Sequence, residues 1–150
     1  MNVLFDTSTL IAATTRAHKH HQFARPWLEA AHQGRINLIV SCHSMAEFYR
    51  VMTTVKSSPP LTTQQVWRLL QDEILAFATV VELTQVDYAA CLSRLAQVNA
   101  RGGIVFDSLI VQAALKAGVD HLISLNSTDF ERVWPNHTNE VINPLTTPAP

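Results

Sequence analysis

Residues 3–13, VLFDTSTLIAA, decide the fold of this 150-residue chain. Val3-Leu4-Phe5 is a short apolar run of the kind that forms a buried strand. Asp6-Thr7-Ser8 follows at once and supplies a helix-start signal. Leu10-Ile11-Ala12-Ala13 then continues as a short apolar helix. A buried strand that runs straight into a helix opens a β-α unit.

The alternation repeats outward from there. Phe23, Trp27, Leu28 and Ala31 recur at helical spacing up to Gly34, and Ile36 to Val40 is a second strand. Ser41 or Ser44 caps a helix carrying Met45, Phe48, Tyr49 and Met52, which SSPP at 57–60 breaks. Thr62 or Thr63 caps a helix over 62–76 with Val66, Leu69, Leu70 and Ile74 as its buried stripe. Thr79-Val80-Val81 is a third strand, and Thr84 starts a helix over 84–99. Gly102-Gly103 breaks the chain before a helix over Ile104–Ala117, stopped by Gly118. His121-Leu122-Ile123 and Val141-Ile142 are short strands. Trp27, Trp67 and Phe77 fit core positions, as does Cys91. One domain is expected over 1–143, with 144–150 (PLTTPAP) a frayed tail.

Alternating strands and helices predict a mostly parallel sheet covered on both faces. Ligands of such sheets gather outside the carboxyl ends of the strands, so the residues just after each strand carry the chemistry. With four glycines in all and no Gly-rich loop after the first strand, dinucleotide and P-loop sites are excluded.

Composition narrows the class further. Apolar residues make up 47% and charged residues 15%, which describes a soluble globule without a membrane span. Two cysteines are too few for a disulfide framework or a structural zinc site, so a reducing, cytoplasmic setting is expected. A formal charge of −1 excludes polyanion binding by bulk charge. Its distribution is uneven. Residues 7–71 hold seven Lys/Arg against Glu29 and Glu47, net +5, and residues 72–150 hold four against nine acids, net −5. A local basic face is therefore available on a neutral protein. Arg16, Lys19, Arg50 and Lys56 are its candidate phosphate contacts.

Four acids stand near strand ends or helix starts. Asp6 directly follows the first strand, Glu47 lies in the helix after the second, Asp107 opens the 104–117 helix, and Asp129 follows the fourth strand. Each has an ordinary explanation as a cap or a surface acid. Their concurrence is less ordinary, because Asp107 sits in the apolar segment GGIVFDSLIVQAALKAG, where an uncompensated carboxylate costs several kcal/mol. Acids gathered at one sheet end need protons or divalent cations. Hard cations such as Mg²⁺ take oxygen ligands and suit phosphodiester chemistry.

At these residues the chain resembles the PIN-domain family, specifically its VapC-type toxins. The matching pieces are VLFDTSTLIAA, SMAEFYRV around Glu47, GGIVFDSLIVQAALKAG around Asp107, and HLISLNSTDFERV. The resemblance implies a three-layer α/β/α fold with a five-stranded parallel sheet, and Mg²⁺- or Mn²⁺-dependent RNA cleavage by an acidic cluster. Asp6, Glu47 and Asp107 match the family's three principal acids. At the fourth position many relatives have Thr-x-Asp, whereas this chain has Ser124-Leu125-Asn126, with Asp129 three residues later. An amide adds no negative charge, which puts a second metal in question. Ser8 matches a small polar position beside the metal site. The resemblance also implies an antitoxin partner and dimers, with the helices at 62–76 and 84–99 as contact surfaces.

Three functions follow in order of fit. The first is an endoribonuclease toxin. The second is a catalytically weakened PIN domain that binds RNA or a protein, an idea sustained by Asn126. The third is an aspartyl-nucleophile phosphatase built on Asp6, which lacks the second Asp that such enzymes place where this chain has Ser8. A Cys42–His43 nucleophile pair is disfavoured, since adjacent helical residues point to different sides.

Overall fold

The computed structural model describes residues 1–56, 59–134, 136 and 140–150. Five strands form one sheet: β1 (Asn2–Phe5), β2 (Asn37–Ser41), β3 (Ala78–Val81), β4 (His121–Ile123) and β5 (Val141–Ile142). Their order is β3-β2-β1-β4-β5, and every pairing is parallel. Leu4 on the central strand is in register with Ile39 on one side and Leu122 on the other. The chain fills the sheet leftward from β1 and then returns to its right side. The topological switch point therefore falls between β1 and β4.

Among the described residues, seven α-helices cover the sheet: α1 (Thr7–Thr14), α2 (His21–His32), α3 (Cys42–Thr54), α4 (Thr63–Leu70), α5 (Gln85–Gln97), α6 (Ile104–Ala117) and α7 (Ser127–Val133). The strands' two-residue alternation divides the core. Val3, Phe5, Leu38, Val40 and Ile123 pack with Leu10, Leu28, Phe48 and Val66 of α1 to α4. Leu4, Ile39 and Leu122 pack on the other face with Ile110, Val111 and Ala114 of α6 and Phe130 of α7. The result is a three-layer α/β/α fold. Among the described residues no helix is long and apolar enough to cross a membrane.

Helix α6 explains its own sequence. Ser108 through Ala114 are all buried, because α6 lies between the sheet and α5, whose Cys91 and Leu95 pack on Leu109. Gly118 ends it at φ 58°, a left-handed conformation that favours glycine. Asp107 stands at the start of this buried run, in the first turn.

Three expectations change. The helix over 62–76 is α4 followed by a π-helical turn, Gln71–Leu75, in which Ala76 N–H donates to Gln71 O at 2.9 Å. Trp67 is 46% exposed, because α4 buries Val66 and Leu70 and turns the residue between them outward. Phe77 is also exposed and stacks on His32, ring centroids 4.0 Å apart. Residues 144–150 make contacts with the body of the fold. Thr146 and Thr147 N–H both donate to Asn143 O, Trp27 Nε1 donates to Thr147 O at 3.3 Å, and Ala149 packs on the larger core cluster. Of the SSPP break, Ser57 and Ser58 lie outside the described residues; α3 ends before them at Thr54.

Candidate active site

The site is built from β1 outward. Asp6 follows the last residue of β1, and its backbone N–H continues the ladder by donating to Ile123 O of β4 at 3.1 Å. Its side chain caps α1 by accepting from Thr9 N–H at 2.9 Å. Two hydroxyls complete the shell. Ser8 Oγ lies 2.9 Å from both Asp6 oxygens, and Ser124 Oγ donates to Oδ2 at 2.8 Å. Capping and site-building are thus one arrangement.

Asp6 is only 4% exposed, and burial pushes its carboxyl above the usual range despite these hydrogen bonds. Ser8 is tied back as well, since its Oγ accepts from Leu125 N–H at 3.1 Å. Ser124 accepts from Asn126 N–H at 2.8 Å. The loop after β4 is therefore stitched to the start of α1 across the switch point.

Glu47 is carried by α3, and its charge acts on Asp107. Buried Thr7 donates its hydroxyl to Glu47 Oε2 at 2.7 Å. Arg50 Nη2 lies 3.6 Å from Glu47 Oε1, with most of the Arg50 side chain in solvent. His43 Nε2 lies 4.0 Å from Glu47 Oε2, too far for a hydrogen bond, and that nitrogen is buried without a hydrogen-bond partner among the described residues. Burial lowers the His43 pKa, with Glu47 opposing it, so the ring is neutral at pH 7 and the contact is not an ion pair. Cys42 is exposed and its thiol is pushed up by burial of its surroundings and by Glu82, which removes the thiolate a nucleophile needs.

Asp107 shows that the acids share one field. Its pKa is raised to about 6, first by burial and then by the charges of Asp129, Asp6 and Glu47 in turn. Asp107 of α6 thus feels the charges of Asp129 on α7, Asp6 at the cap of α1 and Glu47 on α3. Asp129 is the charged neighbour from the fourth position. Asn126 is exposed, and its side chain does not cap α7.

Arg16 and Lys19 are exposed beyond the C-terminal end of α1, about 12 Å of helix from Asp6. Arg16 lines a surface hollow with His21, Arg25, Glu29 and Glu73. Lys56 is exposed just past the end of α3. Of the four expected phosphate contacts, Arg50 alone stands beside a cluster acid. A further hollow, lined by Asn2, Asn37, Thr79 and Lys116 among others, contains none of the cluster acids.

Sequence reasoning passed over Thr7 and Ser124, the donors that orient Glu47 and Asp6. Their signal was available: both are hydroxyl residues immediately after, or next after, a buried strand. The donor set suits a hard divalent cation, being carboxylate oxygens that repel one another. Among the described residues, however, no three His, Cys, Asp or Glu side chains stand close enough to hold one ion.

A parallel α/β/α sandwich with acids converging at its switch point defines the class. Residues 3–134 match the PIN domain family, and the chain belongs to it. No curated protein matches the chain. Among solved structures it is similar to VapBC2 from Rickettsia felis bound to a promoter DNA fragment, at 20% identity and TM-score 0.67, covering 95% of this chain and 98% of that one. It is similar to FitAcB from Neisseria gonorrhoeae at 14% identity and TM-score 0.68, covering 97% and 99%. VapC20 of Mycobacterium tuberculosis, a Sarcin-Ricin loop cleaving toxin, aligns at 13% identity and TM-score 0.63 over 80% and 86%. At these identities the likeness establishes the shared fold.

Proposed function

We propose that this chain is a divalent-metal-dependent endoribonuclease, the toxin of a type II toxin–antitoxin pair. The observation that carries the reading is Asp107, a part-buried carboxyl raised to about 6 by burial and by the charges of three other acids. Such a cluster is unfavourable in the bare protein and favourable around a dication. Asp6 and Asp107 would hold Mg²⁺ or Mn²⁺, with Glu47 holding the ion or its water and Asp129 adding charge. Mg²⁺ keeps several waters, so a set of acids too widely spaced to ligate one ion directly remains compatible with it. A bound ion would lower the pKa of a water and stabilise the phosphate's developing charge.

The chain's own residues do the positioning. Ser8, Ser124 and Thr9 N–H fix the Asp6 carboxylate, and Thr7 fixes Glu47. Arg50 offers a solvent-facing guanidinium next to Glu47, suited to a phosphate oxygen. One structural neighbour, VapC20, is a Sarcin-Ricin loop cleaving toxin, which supports RNA as the substrate class here.

An antitoxin partner is proposed on the same footing, since VapBC2 and FitAB are two-component complexes bound to DNA. Val86, Leu92 and Val98 of the α5 region are exposed apolar residues and support burial against a second chain, either an antitoxin or a twin in a dimer. Cytoplasmic action fits the two free cysteines, Cys42 and Cys91.

The spacing of the acids favours one competing reading, a PIN domain that binds RNA or protein without cutting. Incubating the protein with unpaired RNA in Mg²⁺, and in parallel with chelator, separates the two. Cleavage in Mg²⁺ that chelator abolishes supports the nuclease; binding without cleavage supports the competitor.

A further inference from the structure

Phe106 precedes Asp107 in the first turn of α6, its N–H donating to Gly103 O at 3.0 Å. It leaves 50% of its surface in solvent. It is an exposed aromatic ring next in the chain to Asp107. Its ring is also held in place. The His43 imidazole stacks against it, centroids 5.1 Å apart and planes 5° from parallel, an offset stack of the favoured kind. His43 itself is mostly buried, its Nε2 4.0 Å from Glu47. The pair thus bridges α3 and α6, the two helices that carry Glu47 and Asp107.

We propose that Phe106, backed by His43, is the platform on which an unpaired RNA base stacks next to the acidic cluster. This deepens the nuclease reading and rests on it for the choice of RNA. Unpaired bases are recognised by stacking on aromatic side chains, and every base has a π-face to offer. A platform adjacent to Asp107 would seat the nucleotide flanking the phosphate at the acids, while Arg50 takes the backbone on the other side of Glu47. The polar surroundings favour a base over a protein side chain. Glu47 lies 4.0 Å from the His43 that backs the ring, Arg50 lies 3.6 Å from Glu47, and Asp107 follows Phe106 in the chain, so an apolar partner residue would bury charges with it.

The test uses the intact protein, without divalent cation so that nothing is cut, and a short unpaired oligoribonucleotide carrying one 2-aminopurine. Wild type and Phe106→Trp are expected to quench the 2-aminopurine on binding. Phe106→Leu, which keeps an apolar side chain, is expected to lose the quench and to bind about tenfold more weakly. The slope of log affinity against log salt should not change, because stacking releases no counterions. Removing the base at the stacked position should weaken wild type about tenfold and leave Phe106→Leu nearly unaffected. Equal quenching and affinity in Phe106→Leu overturn the proposal, as does a loss of affinity that persists with the base removed. Should Phe106→Leu fold poorly, the quench of the introduced indole in Phe106→Trp decides: unchanged indole emission on RNA binding overturns it. Cleavage in Mg²⁺ without the stacking signature would sink the platform and spare the nuclease. A stacking signature without cleavage would do the reverse.

Discussion

Ser124 at the end of β4 donates its hydroxyl to Asp6 Oδ2 across 2.8 Å, joining residues 118 positions apart in the chain. The bond crosses the switch point between adjacent strands, and it spends the Ser124 proton on a carboxylate that burial would otherwise push further from its charged form. Ser124→Ala is therefore expected to cost about 1–3 kcal/mol, the range for a buried hydrogen bond to a charged group. The acidic limb of the pH–rate profile should move to higher pH, since Asp6 loses a donor that favours ionisation. Thermal unfolding and a pH profile check the two parts separately.

Asp107 makes the opposite contribution to stability. Its pKa in the folded protein is raised from 3.8 to about 6, so the folded state holds the proton more tightly than the unfolded one. Stability falls as pH rises between those values, and the penalty is complete above about pH 6. Allowing for the solvent that reaches Asp107, the penalty is on the order of 1–2 kcal/mol. Asp107→Asn should therefore raise the melting temperature at neutral pH without metal, and the gain should vanish below about pH 4. Mg²⁺ should stabilise the wild type more at neutral than at acidic pH, where Asp107's proton competes. Equal melting curves for the two proteins at every pH would contradict this.

Thr7 is a positioning residue for Glu47. Thr7→Val keeps the volume and removes the hydroxyl donor, and about tenfold slower cleavage at saturating RNA is expected, with KM little changed. Thr7→Ser restores the donor and should restore the rate. If valine and serine behave alike, the hydroxyl does not orient Glu47.

The fold was legible in the sequence because its strands are short, apolar and followed at once by caps. VLFDTS marks both the central strand and the acid beyond it. The run GGIVFDSLIVQAALKAG betrays a helix buried on most sides with one acid it cannot easily hold. What escaped was set by tertiary context. Helix α7 was missed because seven residues of mixed polarity around Phe130 show little periodicity. Trp67 and Phe77 look like core residues by type, yet the faces of α4 and the following π-turn place them outside. The contact of Thr147 O with the Trp27 indole joins positions 120 apart, which nothing local encodes. The roles of Thr7, Ser124 and Phe106 depend on partners 40 to 118 positions away, which no local pattern encodes.

Charge asymmetry along the sequence translates unevenly into space. Arg50 borders Glu47, whereas Arg16 and Lys19 stand at the far end of α1. Arg50→Gln should flatten the dependence of log kcat/KM on log salt by about 0.7, the value for one phosphate contact on a single strand. The Arg16→Gln, Lys19→Gln double variant should change it less. A larger change in the double variant, measured with Mg²⁺ held constant, would mean that the RNA path runs over α1 and not past Glu47.

On the proposed function, Asp6, Glu47, Asp107 and Asp129 act as one cation-dependent cluster that cuts RNA. Cleavage of unpaired RNA by the purified protein in Mg²⁺ tests it most directly, run beside chelator and beside Asp107→Asn from the same preparation. Cutting by the wild type that chelator abolishes, and that the folded Asp107→Asn protein lacks, is the predicted result. Equal cutting by Asp107→Asn, or cutting that survives chelation, would contradict it.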